Sequence, residues 1–273
     1  MRNIFILSII IIYNFQVYAQ DQPQKKDNWI NPKDGMKFVW IPAGSFMAEI
    51  PYDSSGTTAF YEDEIDISNG FWLGETEVTI KQFQKFIKVT GHITDAEKEG
   101  HRFTWKNPGF KQKKSHPVVY ISYQDAKAYT EWAGVELPLE IEWLHACRGG
   151  VFTRFYWGDE FDEQYVWYRG NSVTGTKPVG KKAPNQYGLY DMVGNIWEYV
   201  QVCDSIIALR GSAWTRCNEA RGWWGPTYSD VIYGGVRPRL SQCTHTPFQP
   251  YNRDDDRGFR CIKRVETGVT NIE

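Results

Sequence analysis

The pattern of apolar and polar residues predicts two extended segments followed by three helices in the first part of the chain. Residues 36–41 and 71–78 are the extended segments. The first helix is expected to begin at Thr79, because its hydroxyl can form a capping box with the Gln82 amide, and to end at Gly91. The apolar face of this helix consists of Ile80, Phe83, Phe86 and Ile87.

The next two helices carry boundary signals of the same kind. Ser122 with Asp125 predicts the start of a second helix, which Gly134 ends, and a third helix is expected over residues 139–148. Beyond Gly150, short apolar runs alternate with turn-forming residues. Loops of this extent are usually functional or held by bound ions, so a structural metal is expected. The sequence therefore predicts one α+β domain rich in irregular structure.

The N-terminus has the pattern of a secretory signal. A short basic start precedes an apolar run over residues 4–12, which is too short to span a bilayer. A buried N-terminal strand is the alternative interpretation. The predicted organisation is a signal peptide over 1–19, a flexible polar leader over 20–35, the domain over 36–264 and a C-terminal tail over 265–273. The mature protein is expected to be secreted or periplasmic, without a membrane span.

Composition narrows the class of protein further. The formal net charge is −2, with 31 basic and 33 acidic residues mixed along the chain, so no basic surface for nucleic acid is predicted. The 12 tryptophans and 24 glycines are typical of a loop-rich fold in which aromatic side chains pack against irregular backbone. No Cys-x-x-Cys pair or Cys/His zinc spacing is present among the five cysteines.

A series of ordered motifs identifies the fold more specifically. The motifs are Glu75-Thr76-Glu77-Val78-Thr79, His116-Pro117-Val118-Val119, Trp132-Ala133-Gly134, Leu137-Pro138-Leu139-Glu140, Arg148-Gly149-Gly150, the run 184–198, Arg210-Gly211-Ser212-Ala213-Trp214 and Gly258-Phe259-Arg260-Cys261. In this order they resemble the formylglycine-generating enzyme (sulfatase-modifying factor) family, over roughly residues 36–264. The resemblance implies a modified C-type-lectin-like fold in a single domain.

The same resemblance implies a structural calcium site in the run 184–198. The matched positions are Asp191, Gly194, Ile196 and Glu198, the middle two acting through their carbonyls. Carboxylate and carbonyl oxygens on flexible loops are the ligands that calcium prefers. The alternative is that the two carboxylates cap turns and pair with arginines. The family's other calcium site is not expected, because Val166 and the aromatic residues after it occupy that stretch.

The resemblance breaks at the catalytic cysteines. The family's enzymes oxidise a substrate cysteine to formylglycine with oxygen and copper(I), which two thiolates hold. Aligned without gaps, the two cysteine positions fall on Arg216 and Arg221, and a serine position falls on Ala213. Cys217 is one residue away and is a weak catalytic candidate without a second thiolate nearby. Copper is therefore not expected.

Two functions follow from this comparison. The favoured one is an exported, non-catalytic binding or scaffold module of the cell envelope. The alternative is a copper- and oxygen-dependent oxidase that converts a substrate cysteine to formylglycine or oxidises a related substrate. Aromatic residues after Gly211 are expected to line a groove for a peptide, protein or glycan, unless they are core residues. They are Trp214, Trp223, Trp224 and Tyr228.

Two further features carry weaker expectations. Cys217 is expected to pair with Cys203 or Cys243 in a structural disulfide, since an exported protein retains such bonds. Under the resemblance, Cys147 and Cys261 match half-cystine positions whose partners this chain lacks. The run 254–256, three aspartates flanked by arginines, is a candidate cation site or, more commonly, a solvated loop paired with those arginines.

Overall fold

The computed structural model of the chain describes residues 27–51, 60–203, 206–215 and 253–265. Several predicted features lie outside these residues: the signal peptide, the end of the tail, Arg216, Cys217, Arg221, Trp223, Trp224, Tyr228 and Cys243. Within the described ranges, no helix combines the length and apolar character needed to cross a bilayer.

The described residues form nine strands and four helices, and the fold is α+β as predicted. The strands are β1 Trp29–Ile30, β2 Lys37–Ile41, β3 Gly44–Pro51, β4 Phe60–Ile67, β5 Phe71–Gly74, β6 Trp197–Cys203, β7 Ile206–Arg210, β8 Arg257–Gly258 and β9 Ile262–Arg264. The helices are α1 Ile80–Thr90, α2 Asp95–Lys98, α3 Tyr123–Ala133 and α4 Glu140–Arg148.

These strands form three separate sheets. A four-stranded antiparallel sheet has the order β1-β2-β5-β9, and β3 pairs with β4 as a two-stranded hairpin. The third sheet has the order β7-β6-β8, in which β8 runs parallel to β6. Because β8 and β9 are close in sequence but belong to different sheets, residues 257–264 connect the third sheet to the first.

The three predicted helices are confirmed with their boundaries. Capping boxes form at Thr79 before α1 and at Ser122 before α3. Each of these helices and α4 ends at a glycine in the left-handed region, where a residue without a Cβ is favoured: Gly91, Gly134 and Gly149. The short helix α2 was not predicted, although Thr94 and Glu97 form a capping box there too.

Part of the predicted flexible leader belongs to the packed domain. Strand β1 pairs with β2, and the Trp29 ring lies 4.9 Å from the Phe38 ring. Asn31 is buried and donates a hydrogen bond from Nδ2 to the Ala133 carbonyl at 3.1 Å. Residues 27–35 are therefore tied to the first sheet and to the end of α3.

Three clusters of buried hydrophobic residues form the core of the described part of the chain, and the two larger ones lie on opposite sides of β6. One cluster lies between the β3–β4 hairpin, α4 and the loop before β6, and the other lies between α1, α3 and β2. Tyr199 packs in the second cluster and the next residue, Val200, packs in the first. Since neighbouring side chains of a strand point to opposite faces, β6 is enclosed by apolar residues on both faces. Glu198 immediately before them is fully buried.

We expect Thr79→Ala to lower the free energy of unfolding by about 1 kcal/mol, because the hydroxyl accepts the Gln82 N–H in the capping box. Thr79→Ser is the matched control, since serine retains that acceptor. Urea unfolding of both variants checks this, and equal losses for alanine and serine would contradict the assignment of the cap.

Candidate functional site

A wholly buried ion pair lies at the centre of the molecule. Arg260 donates from Nε to Glu198 Oε2 and from Nη2 to Glu198 Oε1, both at 2.6 Å, and neither side chain is exposed. Trp143 of α4 donates its indole N–H to the same Oε2 at 2.7 Å. The two oxygens of Glu198 thus accept three hydrogen bonds from protein groups.

The same arginine also binds backbone on two other segments. Its Nη1 donates to the Gly74 carbonyl at 3.1 Å and its Nη2 to the Tyr190 carbonyl at 3.0 Å. Gly74 ends β5, and Tyr190 precedes the predicted calcium position Asp191. Arg260 therefore holds together the end of the first sheet, the loop before β6 and β6 itself.

Asp191 is buried, and only one of its two carboxylate oxygens accepts a hydrogen bond within the described structure. Its Oδ2 accepts the Gly180 N–H at 2.7 Å, whereas its Oδ1 has no hydrogen-bond partner among the described residues. Burial raises the pKa of this carboxyl to about 6, and the charge of Glu198 adds to the rise, although Gly180 and Arg260 oppose it. Its backbone is in the left-handed region with φ 54°.

A third buried carboxylate, Glu77, joins this cluster from the segment between β5 and α1. Its Oε1 accepts a hydrogen bond from Asn195 Nδ2 at 3.0 Å, and its Oε2 has no hydrogen-bond partner in the described structure. Burial raises the pKa of Glu77 well above its usual range, and the charges of Asp191 and Glu198 raise it further. The carboxylates are therefore close enough to repel one another.

The loop between Asp191 and Glu198 is closely packed and has two consecutive residues in the left-handed region. Gly194 has φ 88°, and a Cβ there would clash with the Trp167 carbonyl oxygen. Asn195 has φ 58°, a conformation that non-glycine residues adopt mainly where surrounding structure holds them. A Cβ at Gly211 would lie 3.3 Å from the Met192 carbonyl oxygen and 3.6 Å from that of Ile196. The carbonyl oxygens of Met192 and Ile196 therefore both lie near Gly211.

The cluster has the chemistry of a site for a hard cation. Fully ionised Glu77, Asp191 and Glu198 carry three negative charges against one positive charge on Arg260, and all four side chains are fully enclosed. Two carboxylate oxygens lack hydrogen bonds, and buried polar atoms in that state are rare. Glu198, however, also pairs with Arg260. Pairing with an arginine was the alternative to calcium binding in the sequence analysis.

Asp191 and Glu198 were named as candidate ligands in the sequence analysis, but Glu77 and Arg260 were not singled out there. Both missed residues stand inside motifs that the resemblance rests on, Glu75–Thr79 and Gly258–Cys261. Glu77 stands next to Val78 and Arg260 stands next to Phe259, and both of these apolar neighbours are buried. An ionisable residue beside such an apolar residue is the local signal that could have identified them.

Trp214, the described member of the predicted aromatic groove, lies where two distant segments meet. Its Nε1 donates to the Asp255 carbonyl at 3.2 Å, and its backbone N–H donates to the Asn195 carbonyl at 2.9 Å. Thr215 donates its hydroxyl to Asp256 Oδ2 at 2.6 Å. Residues 214–215 and 255–256, which flank the segment 216–252, are therefore joined to each other and to the loop before β6.

The three aspartates 254–256 are also grouped in space. One oxygen from each lies within 4.8 Å of the others. Arg257 lies 3.6 Å from Asp254 and 3.8 Å from Asp256, which agrees with the predicted pairing with an arginine, whereas the burial of Asp256 does not agree with a solvated loop. Partial burial and the two neighbouring aspartates raise the pKa of Asp255 to about 6.

Three of the five cysteines lie in the described part of the chain. No disulfide joins Cys147, Cys203 and Cys261 to one another. Burial raises the pKa of Cys147 to about 12 and that of Cys261 well above its usual range, so both are thiols at neutral pH. The predicted disulfide of Cys217 involves a residue outside the described part of the chain.

Comparison with known families and proteins agrees with the resemblance. The family described as "Sulfatase-modifying factor enzyme 1-like domain" matches residues 24–265. The formylglycine-generating enzyme of Bos taurus is 32% identical over 228 residues, which cover 62% of this chain and 58% of that protein. The chain therefore spans little more than half of that relative. The "Inactive C-alpha-formylglycine-generating enzyme 2" of Bos taurus is 30% identical, with 85% of this chain and 90% of that protein covered.

Solved structures support the fold alone. PvdO from Pseudomonas aeruginosa matches with a TM-score of 0.64 at 21% identity, covering 89% of this chain and 100% of that one. Treponema denticola variable protein 1 matches with a TM-score of 0.59 at 18% identity, covering 88% of this chain and 99% of that one.

We expect Asp255→Asn to become more stable relative to the original protein as the pH rises from about 4 to about 7. The folded-state pKa of Asp255 is raised to about 6, so its favourable contribution is complete at low pH and is lost as the pH rises through 6. Urea unfolding at several pH values measures the difference.

Asp95→Asn is the control of opposite sign. Burial raises the pKa of Asp95, but hydrogen bonds from Ser122 and Lys98 outweigh it and leave the pKa lowered. This variant should therefore lose stability relative to the original protein as the pH rises from about 3 to 5. Parallel pH profiles for the two variants would contradict the assignment.

Proposed function

The chain belongs to the sulfatase-modifying factor enzyme family, and we propose that it acts as an exported, non-catalytic binding or scaffold module of the cell envelope. The observation that carries this proposal is the identity of the residues at the copper-binding positions. Arginines at 216 and 221 cannot supply the thiolates that hold copper(I).

The inactive relative gives further support to a non-catalytic function. Its similarity extends over 90% of its own length, whereas the match to the bovine formylglycine-generating enzyme extends over 58%. A fold of this kind retains its loops and surfaces when its catalytic residues change, and function resides in the site rather than in the fold.

The proposed ligand is a peptide, protein or glycan that contacts the chain near Trp214, Trp223 and Trp224. The support is the position of Trp214, which is partly buried where residues 214–215 meet residues 255–256. The loop before β6 also holds this tryptophan through the Asn195 carbonyl. A ligand there would contact an anchored ring, which reduces the entropy lost on binding.

We further propose that calcium has a structural function in the carboxylate cluster, at the positions Asp191, Gly194, Ile196 and Glu198. The support is the unsatisfied Asp191 oxygen and the excess of buried negative charge. A bound calcium ion supplies positive charge and fixes the loop; it takes no part in a redox step.

An oxidation assay tests the non-catalytic proposal against the oxidase alternative. The mature protein is loaded with copper(I) and incubated in air with a cysteine-containing sulfatase peptide, next to an active formylglycine-generating enzyme. We expect no formylglycine by mass spectrometry in the sample and product in the control. Product that disappears in Cys217→Ser would contradict the proposal and favour the alternative.

Calcium should raise the melting temperature of the mature protein relative to the same protein in a chelator. Asp191→Asn should abolish most of this increment, whereas Asp255→Asn, which changes the other acidic group, should preserve it. Differential scanning calorimetry measures all three. Equal increments for the two variants would contradict a calcium site at Asp191.

A further inference from the structure

We propose that Glu77, which lies outside the run 184–198, is a ligand of the cation site and binds the ion together with Asp191, while Glu198 remains paired with Arg260. This inference rests on the calcium site proposed above and changes which carboxylates of the chain hold the ion.

The unsatisfied oxygens identify the two ligands. Glu77 Oε2 and Asp191 Oδ1 are buried and lack hydrogen-bond partners in the described structure, while the other oxygen of each carboxylate accepts a hydrogen bond. Leaving a buried acceptor unpaired costs about 1–3 kcal/mol, and more when it is charged. A cation between the two carboxylates would satisfy both oxygens at once.

Glu198 is the less suitable of the motif carboxylates. Its Oε2 already accepts from Arg260 and Trp143, and its Oε1 accepts from Arg260. Arginine binds a carboxylate in this two-point arrangement strongly, because both hydrogen bonds are charge-assisted. Direct coordination by Glu198 would compete with these donors, whereas coordination by Glu77 displaces none.

The charge balance of the cluster favours a divalent ion. With Glu198 neutralised by Arg260, the remaining charge is that of Glu77 and Asp191, which together match a 2+ cation. The other cation near Asp191 is Lys182, whose ammonium lies 4.0 Å from the Trp167 ring and donates to the Glu163 carbonyl at 2.6 Å. Lys182 therefore does not satisfy either oxygen.

Asn195 holds Glu77 against the loop that supplies the carbonyl ligands. Its Nδ2 donates to Glu77 Oε1 at 3.0 Å, and its Oδ1 accepts the Lys177 N–H at 2.9 Å. Asn195 stands between Gly194 and Ile196, the two residues expected to act through their carbonyls. The hydrogen bond thus connects the orientation of the Glu77 carboxylate to the conformation of this turn.

Calcium titration of Glu77→Gln tests the inference. Glutamine is nearly isosteric and retains an acceptor for Asn195, but it removes the negative charge. We expect the calcium affinity measured by isothermal titration calorimetry to fall at least about tenfold, because charge count sets calcium affinity. We also expect the melting temperature in chelator to stay equal or rise, since one of three buried carboxylates no longer repels the others.

Glu142→Gln is the matched control, because Glu142 is a buried glutamate with both oxygens bound to Arg264 at 2.7 Å. It should lower the melting temperature equally with calcium and with chelator, leaving the affinity unchanged. Glu77→Asp keeps the charge on a shorter side chain and should bind calcium with an affinity between those of the original protein and Glu77→Gln. This variant tests the assignment of Glu77 if the glutamine variant does not fold.

The outcomes separate this inference from the calcium proposal. Calcium binding that is unchanged in Glu77→Gln would overturn the assignment of Glu77 and leave the site at Asp191 intact. Absence of calcium binding by the original protein would overturn both the assignment of Glu77 and the calcium site at Asp191. It would indicate that the carboxylates share a proton instead of a metal ion. Destabilisation of Glu77→Gln in chelator with unchanged affinity would make Glu77 a structural acceptor only.

Discussion

The structure depends on the buried ion pair between Glu198 and Arg260. Removing one partner of such a pair costs about 3–5 kcal/mol, because the other charge stays buried without compensation. Here the pair also receives a hydrogen bond from Trp143 of α4 and donates to the carbonyls of Gly74 and Tyr190. The third sheet, the first sheet and α4 are therefore connected through one guanidinium and one carboxylate.

Because Arg260 is paired with Glu198, its charge does not neutralise the other two buried carboxylates, Glu77 and Asp191. Glu77 and Asp191 are buried near this pair, and burial raises the pKa of both. The charge of Glu198 raises both pKa values further, and the charge of Asp191 adds to the rise at Glu77. Arginines stand at 216 and 221, the positions at which the resemblance to the family's enzymes would place the copper-binding cysteines. We interpret the chain as a member of the family that keeps the structural cation site and uses the lectin-like scaffold for binding.

Local signals predicted the helices well and the polar centre only in part. Capping residues such as Thr79 and Ser122 are adjacent in sequence to the helices they begin. They can therefore be recognised without knowledge of the tertiary structure. The β3–β4 hairpin was missed, because the exposed Met47 stands between the buried Phe46 and Ala48 and obscures the alternation of apolar and polar residues along β3. Partners such as Glu198 and Arg260 are 62 residues apart, and no local periodicity encodes which charges meet in the core.

We propose that the buried carboxylate cluster holds one divalent cation. The most direct measurement is the metal content of the mature protein, by inductively coupled plasma mass spectrometry, after equilibration with calcium and removal of unbound metal. The account predicts one calcium ion per chain, lost when Asp191 is replaced by asparagine. Calcium no higher than in the buffer would contradict it, and the excess charge would then have to be carried as bound protons.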